Sequence, residues 1–154
     1  MNEVRIWTDG SSYGKSNQCG GWGAVLIYGN NILKISGYDS NATNNTMELT
    51  AAIEALSALK RSSVVKMYLD SQYVINGFAK GWVKNWKKKG WVNSEGKPVA
   101  NKELWERLEA EVSKHKVSWV WIKGHSGDTY NEMADQLAKS AKATKKGVKE
   151  YGTL

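Results

Sequence analysis

The spacing of apolar residues changes period along this chain, and the order of those changes restricts it to a mixed α/β architecture. Val4-Arg5-Ile6-Trp7-Thr8-Asp9 alternates apolar and polar residues and stops in Gly10-Ser11-Ser12, which reads as a first strand ending at Asp9. Gly23 to Tyr28 and Ile32 to Ile35 are β-rich runs around Gly29-Asn30-Asn31, whose residues tolerate positive φ, so a hairpin is predicted. Only then does helical spacing begin. Leu49, Ile53, Leu56 and Lys60 follow one another with Ala52 and Leu59 beside them, behind a capping-box-like pair of Asn45 and Glu48.

Val64 to Leu69 is the next strand, ending at Asp70, and Ser71 is placed to cap a helix that begins at once. Asn101 to Lys114 carries Leu104, Leu108 and Val112 four residues apart, and Val117 to Trp121 reads as a short final strand. Thr129 and Glu132 form a second capping box, opening a helix whose Met133, Ala134, Leu137, Ala138 and Ala141 make one apolar face. From about Lys142 the pattern decays into Lys145, Lys146, Lys149 and Glu150 with Gly147 and Gly152. The order β-β-β-α-β-α-α-β-α implies a five-stranded mixed sheet, its first three strands antiparallel and its later ones parallel and joined by helical crossovers. One domain is expected over residues 1–143, with residues 144–154 a loosely ordered basic tail.

The chain's 22 Lys and Arg against 15 Asp and Glu give a net charge of +7, which suits a polyanionic partner such as nucleic acid or anionic membrane and equally suits plain solubility. The single cysteine, Cys19, excludes an intrachain disulfide framework and fits a reducing compartment. Val4 to Trp7 is too short and too charged in its surroundings for a signal peptide, and no segment is long and apolar enough to span a bilayer, so a cytoplasmic protein is the expectation.

Four acids, Asp9, Glu48, Asp70 and Asp135, each lie at the end or flank of an apolar segment with no basic residue adjacent in sequence, Asp9 beside Gly10 and Asp70 beside Ser71. Like charges ~4 Å apart repel by about 4 kcal/mol at an effective dielectric near 20. If the fold gathers these acids, something cationic has to bind there. Asp9 and Asp70 sit at carboxyl ends of strands, the edge where ligand crevices form in open α/β sheets. Any one of the four alone reads as a solvated loop carboxylate or a cap; together they point to a metal site. Oxygen-only ligands favour Mg²⁺ or Mn²⁺, and the sequence holds no Cys and His cluster of the kind zinc uses.

Asp9-Gly10-Ser11, Thr43-Asn44-Asn45-Thr46-Met47-Glu48-Leu49, Asp70-Ser71-Gln72-Tyr73-Val74 and Gly124-His125-Ser126-Gly127 with Asn131, Glu132 and Asp135 stand in an order and spacing that resembles the signature segments of type 1 ribonuclease H. The resemblance runs from Val4 to about Ala143. It implies a ribonuclease H-like sheet with helices on both faces and hydrolysis of the RNA strand of an RNA–DNA hybrid to 5′-phosphate and 3′-hydroxyl ends. Asp9, Glu48, Asp70 and Asp135 would hold two divalent ions, which activate water and stabilise the leaving oxygen of an in-line displacement.

The same resemblance assigns His125 a proton-shuttling role in a glycine-flanked loop and gives Glu132 an auxiliary one. Thr43 and Asn85 match positions that hold a DNA-strand phosphate. Asn44, Asn45 and Gln72 match positions that read 2′-hydroxyls in the minor groove, a task suited to amides because a 2′-hydroxyl both donates and accepts. Trp82, Lys84, Asn85, Trp86, Lys87, Lys88, Lys89 and Trp91 fall where the family has a basic protrusion, with the tryptophans partly packed and the lysines on the DNA strand. The family's first loop commonly contains prolines, and Gly14 to Gly21 has none.

A monomer acting on RNA–DNA hybrids, with no membrane partner, is the resulting expectation. The competing readings are another two-metal nuclease or strand-transferase of the same fold, a non-catalytic hybrid-binding module, and a reverse transcriptase fragment. The Asn44-Asn45 pair and the Gly124 to Gly127 loop argue against the first, and retention of all four acids against the second.

Overall fold

A computed structural model describes residues 3–14, 18–124 and 127–154. Among them the chain runs β1 (Glu3–Ser12), β2 (Gly20–Tyr28), β3 (Asn31–Asp39), α1 (Asn44–Ser57), β4 (Val64–Leu69), α2 (Gln72–Ala79), α3 (Trp82–Lys88), α4 (Lys102–Val112), β5 (Lys116–Trp121), α5 (Thr129–Thr144) and β6 (Lys149–Thr153). The strands form one sheet in the order β5-β4-β1-β2-β3-β6. β1, β2, β3 and β6 pair antiparallel, while β4 runs parallel to β1 and β5 parallel to β4.

Side-chain alternation divides the core between the two faces of the sheet. Val4 and Ile6 of β1, Ala24 and Leu26 of β2, and Val65, Met67 and Leu69 pack with Leu49, Ile53 and Leu56 of α1 and with Trp105 and Leu108 of α4. Trp7, Val25, Ile27 and Ile32 take the other face with Ala134 of α5. Trp7 stacks on Tyr68 at 4.8 Å between ring centroids and tilts against Tyr130 at 4.7 Å, closing that layer.

Several expectations are corrected. β1 does not end at Asp9: Gly10, Ser11 and Ser12 continue it against Trp22, Gly21 and Gly20, so Asp9 lies within a strand. The sheet has six strands rather than five, and the sixth comes from the segment expected to be loose. β6 covers the edge of β3 over Asn31 to Ile35; Ser36 N–H donates to the Val148 carbonyl at 3.0 Å and Leu154 N–H to that of Asn30 at 2.7 Å. Its side chains are all exposed, which is why its composition resembles a solvated tail.

The caps also differ. α1 is capped by Thr43, whose Oγ1 accepts from Thr46 N–H at 3.1 Å while Thr43 N–H donates to Thr46 Oγ1 at 2.8 Å. Asn45 and Glu48 therefore sit inside the helix. α5 is capped by Asp128, which accepts from Tyr130 and Asn131 N–H at 3.0 Å, rather than by Thr129. The basic aromatic stretch contains a helix, α3, as the placing of Trp82 and Trp86 four residues apart suggests. Trp86 packs 5.4 Å from the fully buried Trp105, so the tryptophans are partly core.

Candidate active site

Four elements bring the acids together, and glycine makes the approach possible at two of the contacts. A Cβ on Gly10 would lie 2.6 Å from Glu48 N, so only glycine lets α1 rest directly against β1 and carry Glu48 to Asp9. On the opposite face, a Cβ on Gly23 would lie 2.5 Å from the Ala134 carbonyl, so α5 sits on β2 with Asp135 one residue further along. Asp70 follows β4 directly. Because β4 is parallel to β1 with Trp7 opposite Tyr68, the two strands deliver Asp9 and Asp70 to the same end of the sheet.

Carboxylate oxygens of Asp9, Glu48 and Asp70 all lie within 4.8 Å of one another. Asp135 lines one cavity with these three, and its carboxyl helps to raise that of Asp9. It is not free of basic partners, as its neighbours in sequence suggest: Lys139, one helical turn on, reaches its Oδ2 at 3.0 Å. The acids line a cavity of about 240 Å³ with Gly10, Asn44, Asn131 and Glu132.

Burial pushes the Asp9 carboxyl up to about 8, helped by the Asp70 charge and by Asp135, against the Gly10 N–H that donates to Oδ1 at 2.9 Å. Burial also raises Glu48 well above its ordinary range, with the charges of Asp9 and Asp70 adding to it. Such a cluster is neutralised either by protons or by a cation. Its donors are all carboxylate oxygens with amide oxygens at the rim, a set that fits a hard divalent ion.

A second cavity, of about 450 Å³, adjoins the first and is lined by Ser12, Gly14, Gln18, Asn41, Ala42, Thr43 and Asn44. Asn44 borders both. Its Oδ1 accepts from Ser12 N–H at 3.0 Å and Ser12 Oγ at 2.9 Å, so the amide is oriented and its NH₂ remains to donate. A larger, mostly apolar cavity of about 470 Å³ beside Val4, Leu26 and Leu59 contains none of the acids, so the chemistry belongs to the smaller one.

Asn45, Gln72 and Asn85 are exposed and border neither acidic nor amide cavity among the described residues. Lys84, Lys88 and Lys89 are exposed on or just after α3, whereas Lys87 is paired with Glu109 at 2.9 Å. His125 lies outside the described residues. Asn131 is a site residue that the sequence alone gives no separate role. It is 3% exposed and lines the acidic cavity, and its only local signal is its place beside Glu132 in a shared motif.

The chain matches the RNase H family model over residues 1–143. A Ribonuclease H of Hahella chejuensis is 54% identical over 138 residues, covering 90% of this chain and 92% of that protein. A Ribonuclease H of Geotalea uraniireducens is 48% identical over 147 residues, covering 96% and 99%. Among solved structures, a type 1 RNase H with the type 2 active-site motif superposes with a TM-score of 0.87 at 26% identity, covering 100% of this chain and 78% of that one.

Proposed function

Because the chain belongs to the ribonuclease H family, whose members cleave the RNA strand of RNA–DNA hybrids, we propose that Asp9, Glu48, Asp70 and Asp135 are its catalytic carboxylates and bind two Mg²⁺ or Mn²⁺ ions. The observation that carries this reading is the convergence of Asp9, Glu48 and Asp70 within 4.8 Å, in one cavity with Asp135. When bound, the ions supply the charge that activates water and stabilises the leaving 3′ oxygen.

The chain's own residues do the rest. Asn44, held by Ser12, donates to a 2′-hydroxyl of the strand to be cut, and Asn45 and Gln72 extend that reading along the minor groove. Thr43 and Asn85 hold a DNA-strand phosphate, and Trp82, Lys84, Trp86, Lys87, Lys88 and Lys89 form the grip on that strand. His125 shuttles a proton, and Glu132 assists product release from the rim of the cavity. The products carry 5′-phosphate and 3′-hydroxyl ends. We assign the enzyme to the cytoplasm as a monomer, a reducing setting that its single cysteine suits.

The test incubates the protein with labelled RNA–DNA hybrid, duplex RNA and duplex DNA, in Mg²⁺ and in chelator. Cleavage of the RNA strand of the hybrid alone, abolished in chelator, is expected; equal cutting of all three substrates sinks the proposal. Asp70→Asn should abolish turnover and leave hybrid binding largely intact, and a variant that keeps substantial activity refutes the metal assignment.

A further inference from the structure

Two turns along α5 from Asp135, Lys142 is held in a way that no part of the proposed mechanism uses. Its Nζ donates to Ser11 Oγ at 2.8 Å and stands 4.4 Å from the centroid of the Tyr13 ring. Ser11 is two positions beyond Asp9 on β1, so alternation turns it to the same face of the sheet as Asp9. Lys142 shares one stripe of α5 with Asp135 and Lys139, and a rise of 1.5 Å per residue sets it ~10 Å from Asp135 along the helix axis. The result is a fixed cation beside the catalytic cavity.

Among the described residues no carboxylate forms an ion pair with Lys142, whereas Lys139 is already bound to Asp135. An ammonium has three donors. Ser11 takes one, the exposed Tyr13 ring attracts the charge from another side, and a further donor is left for a ligand. A surface lysine normally gives up ~2 kcal/mol of rotamer freedom when it is fixed in place. Here the hydroxyl and the ring have already restrained it, which is the preorganisation an anion-binding group needs.

Resting on the reading of the acidic cavity as a hybrid-cleaving centre, we propose that Lys142, fixed by Ser11 and Tyr13, binds a backbone phosphate of the RNA strand a short way from the scissile bond. α5 lies on the face of the sheet opposite α3. A duplex seated across the carboxylates therefore meets the α3 lysines with its DNA strand and Lys142 with the strand being cut. The ligand is the phosphodiester itself, so the contact adds affinity without base preference.

The experiment uses hybrid binding by anisotropy in an Asp70→Asn background and cleavage kinetics in the active enzyme. Lys142→Met is expected to lower the log–log salt slope by about 0.7–0.9, the value for a single neutralised phosphate, and to raise KM severalfold while kcat holds. Lys142→Arg should restore both readings and Tyr13→Phe should leave them as in the wild type, whereas Tyr13→Leu should fall between. Single neutral methylphosphonate linkages are then walked along each strand, each compared with an ordinary deoxyribonucleotide at the same position. One RNA-strand position should weaken the wild type and leave Lys142→Met indifferent. Hybrid that the wild-type chain does not cut overturns the parent reading. Hybrid that is cut, with an unchanged salt slope in Lys142→Met or with the matching position on the DNA strand, overturns the Lys142 assignment alone.

Discussion

At Asp9 folding drives a carboxyl toward its neutral form, and that has a measurable cost. The ordinary value of the group is 3.8 and the folded value is about 8, so between these limits the folded chain holds a proton that the unfolded chain has released. Stability of the metal-free protein therefore falls as pH rises through that window, and Glu48 acts in the same direction. Asp9→Asn removes the buried charge while keeping the shape. In chelator at pH 8 this variant should melt above the wild type by calorimetry, the gap should shrink as pH approaches 4, and Mg²⁺ should raise the wild type far more than the variant. A gap that widens on acidification would contradict this account. Asp9 and Asp70 were legible in the sequence because an acid that ends an apolar run is locally conspicuous, and Glu48 and Asp135 through the motifs in which they stand. The Lys139 contact with Asp135 was not, since a helical neighbour at i+4 becomes a partner only once the helix and both rotamers are set.

At the scale of the element, α3 shows how one segment serves both core and surface. Trp82 and Trp86 lie 6.1 Å apart along its inner side, and Trp86 meets Trp105, so the helix is anchored by rings while its lysines point away from the core. Lys87 is tied to Glu109. An exposed pair of this kind contributes only ~0–1 kcal/mol to stability, but it directs the ammonium toward α4. Replacing Lys88 and Lys89 with alanine should lower the salt slope of hybrid binding by about 0.7–0.9 for each phosphate that the two lysines neutralise, and Lys87→Ala should change it less. Titration of binding against KCl checks this, and equal slopes for all the lysine variants would make them bystanders. The helix caps were legible as polar clusters but not to the residue. In Thr43-Asn44-Asn45 and Asp128-Thr129 neighbouring side chains can all cap, and the path of the incoming loop selects which oxygen meets the free N–H groups.

At the scale of the whole molecule, β6 closes the β3 edge of the sheet and contributes no residue to the acidic cavity. None of the residues that pair β6 with β3, nor Ser36 and Asn30 beside them, lines the acidic cavity. Ending the chain at residue 146 should leave kcat/KM for the hybrid intact while lowering the unfolding free energy, at ~0.5–1.5 kcal/mol for each hydrogen bond removed. Urea denaturation beside a cleavage assay measures both, and an inactive but folded truncation would show that β6 supports the site. The fold class, the antiparallel start and parallel continuation of the sheet, and the four acids with their motif neighbours were all legible in the amino-acid order. They were legible because periodicity, turn residues and short motifs are properties of local segments. Three features emerge only from the assembled fold: residues 149–153 pair with β3, Gly10 and Gly23 admit α1 and α5 to β1 and β2, and Ser11 and Tyr13 restrain Lys142. Each of these depends on groups far apart in the chain, and no local pattern encodes a contact whose two halves are distant in sequence.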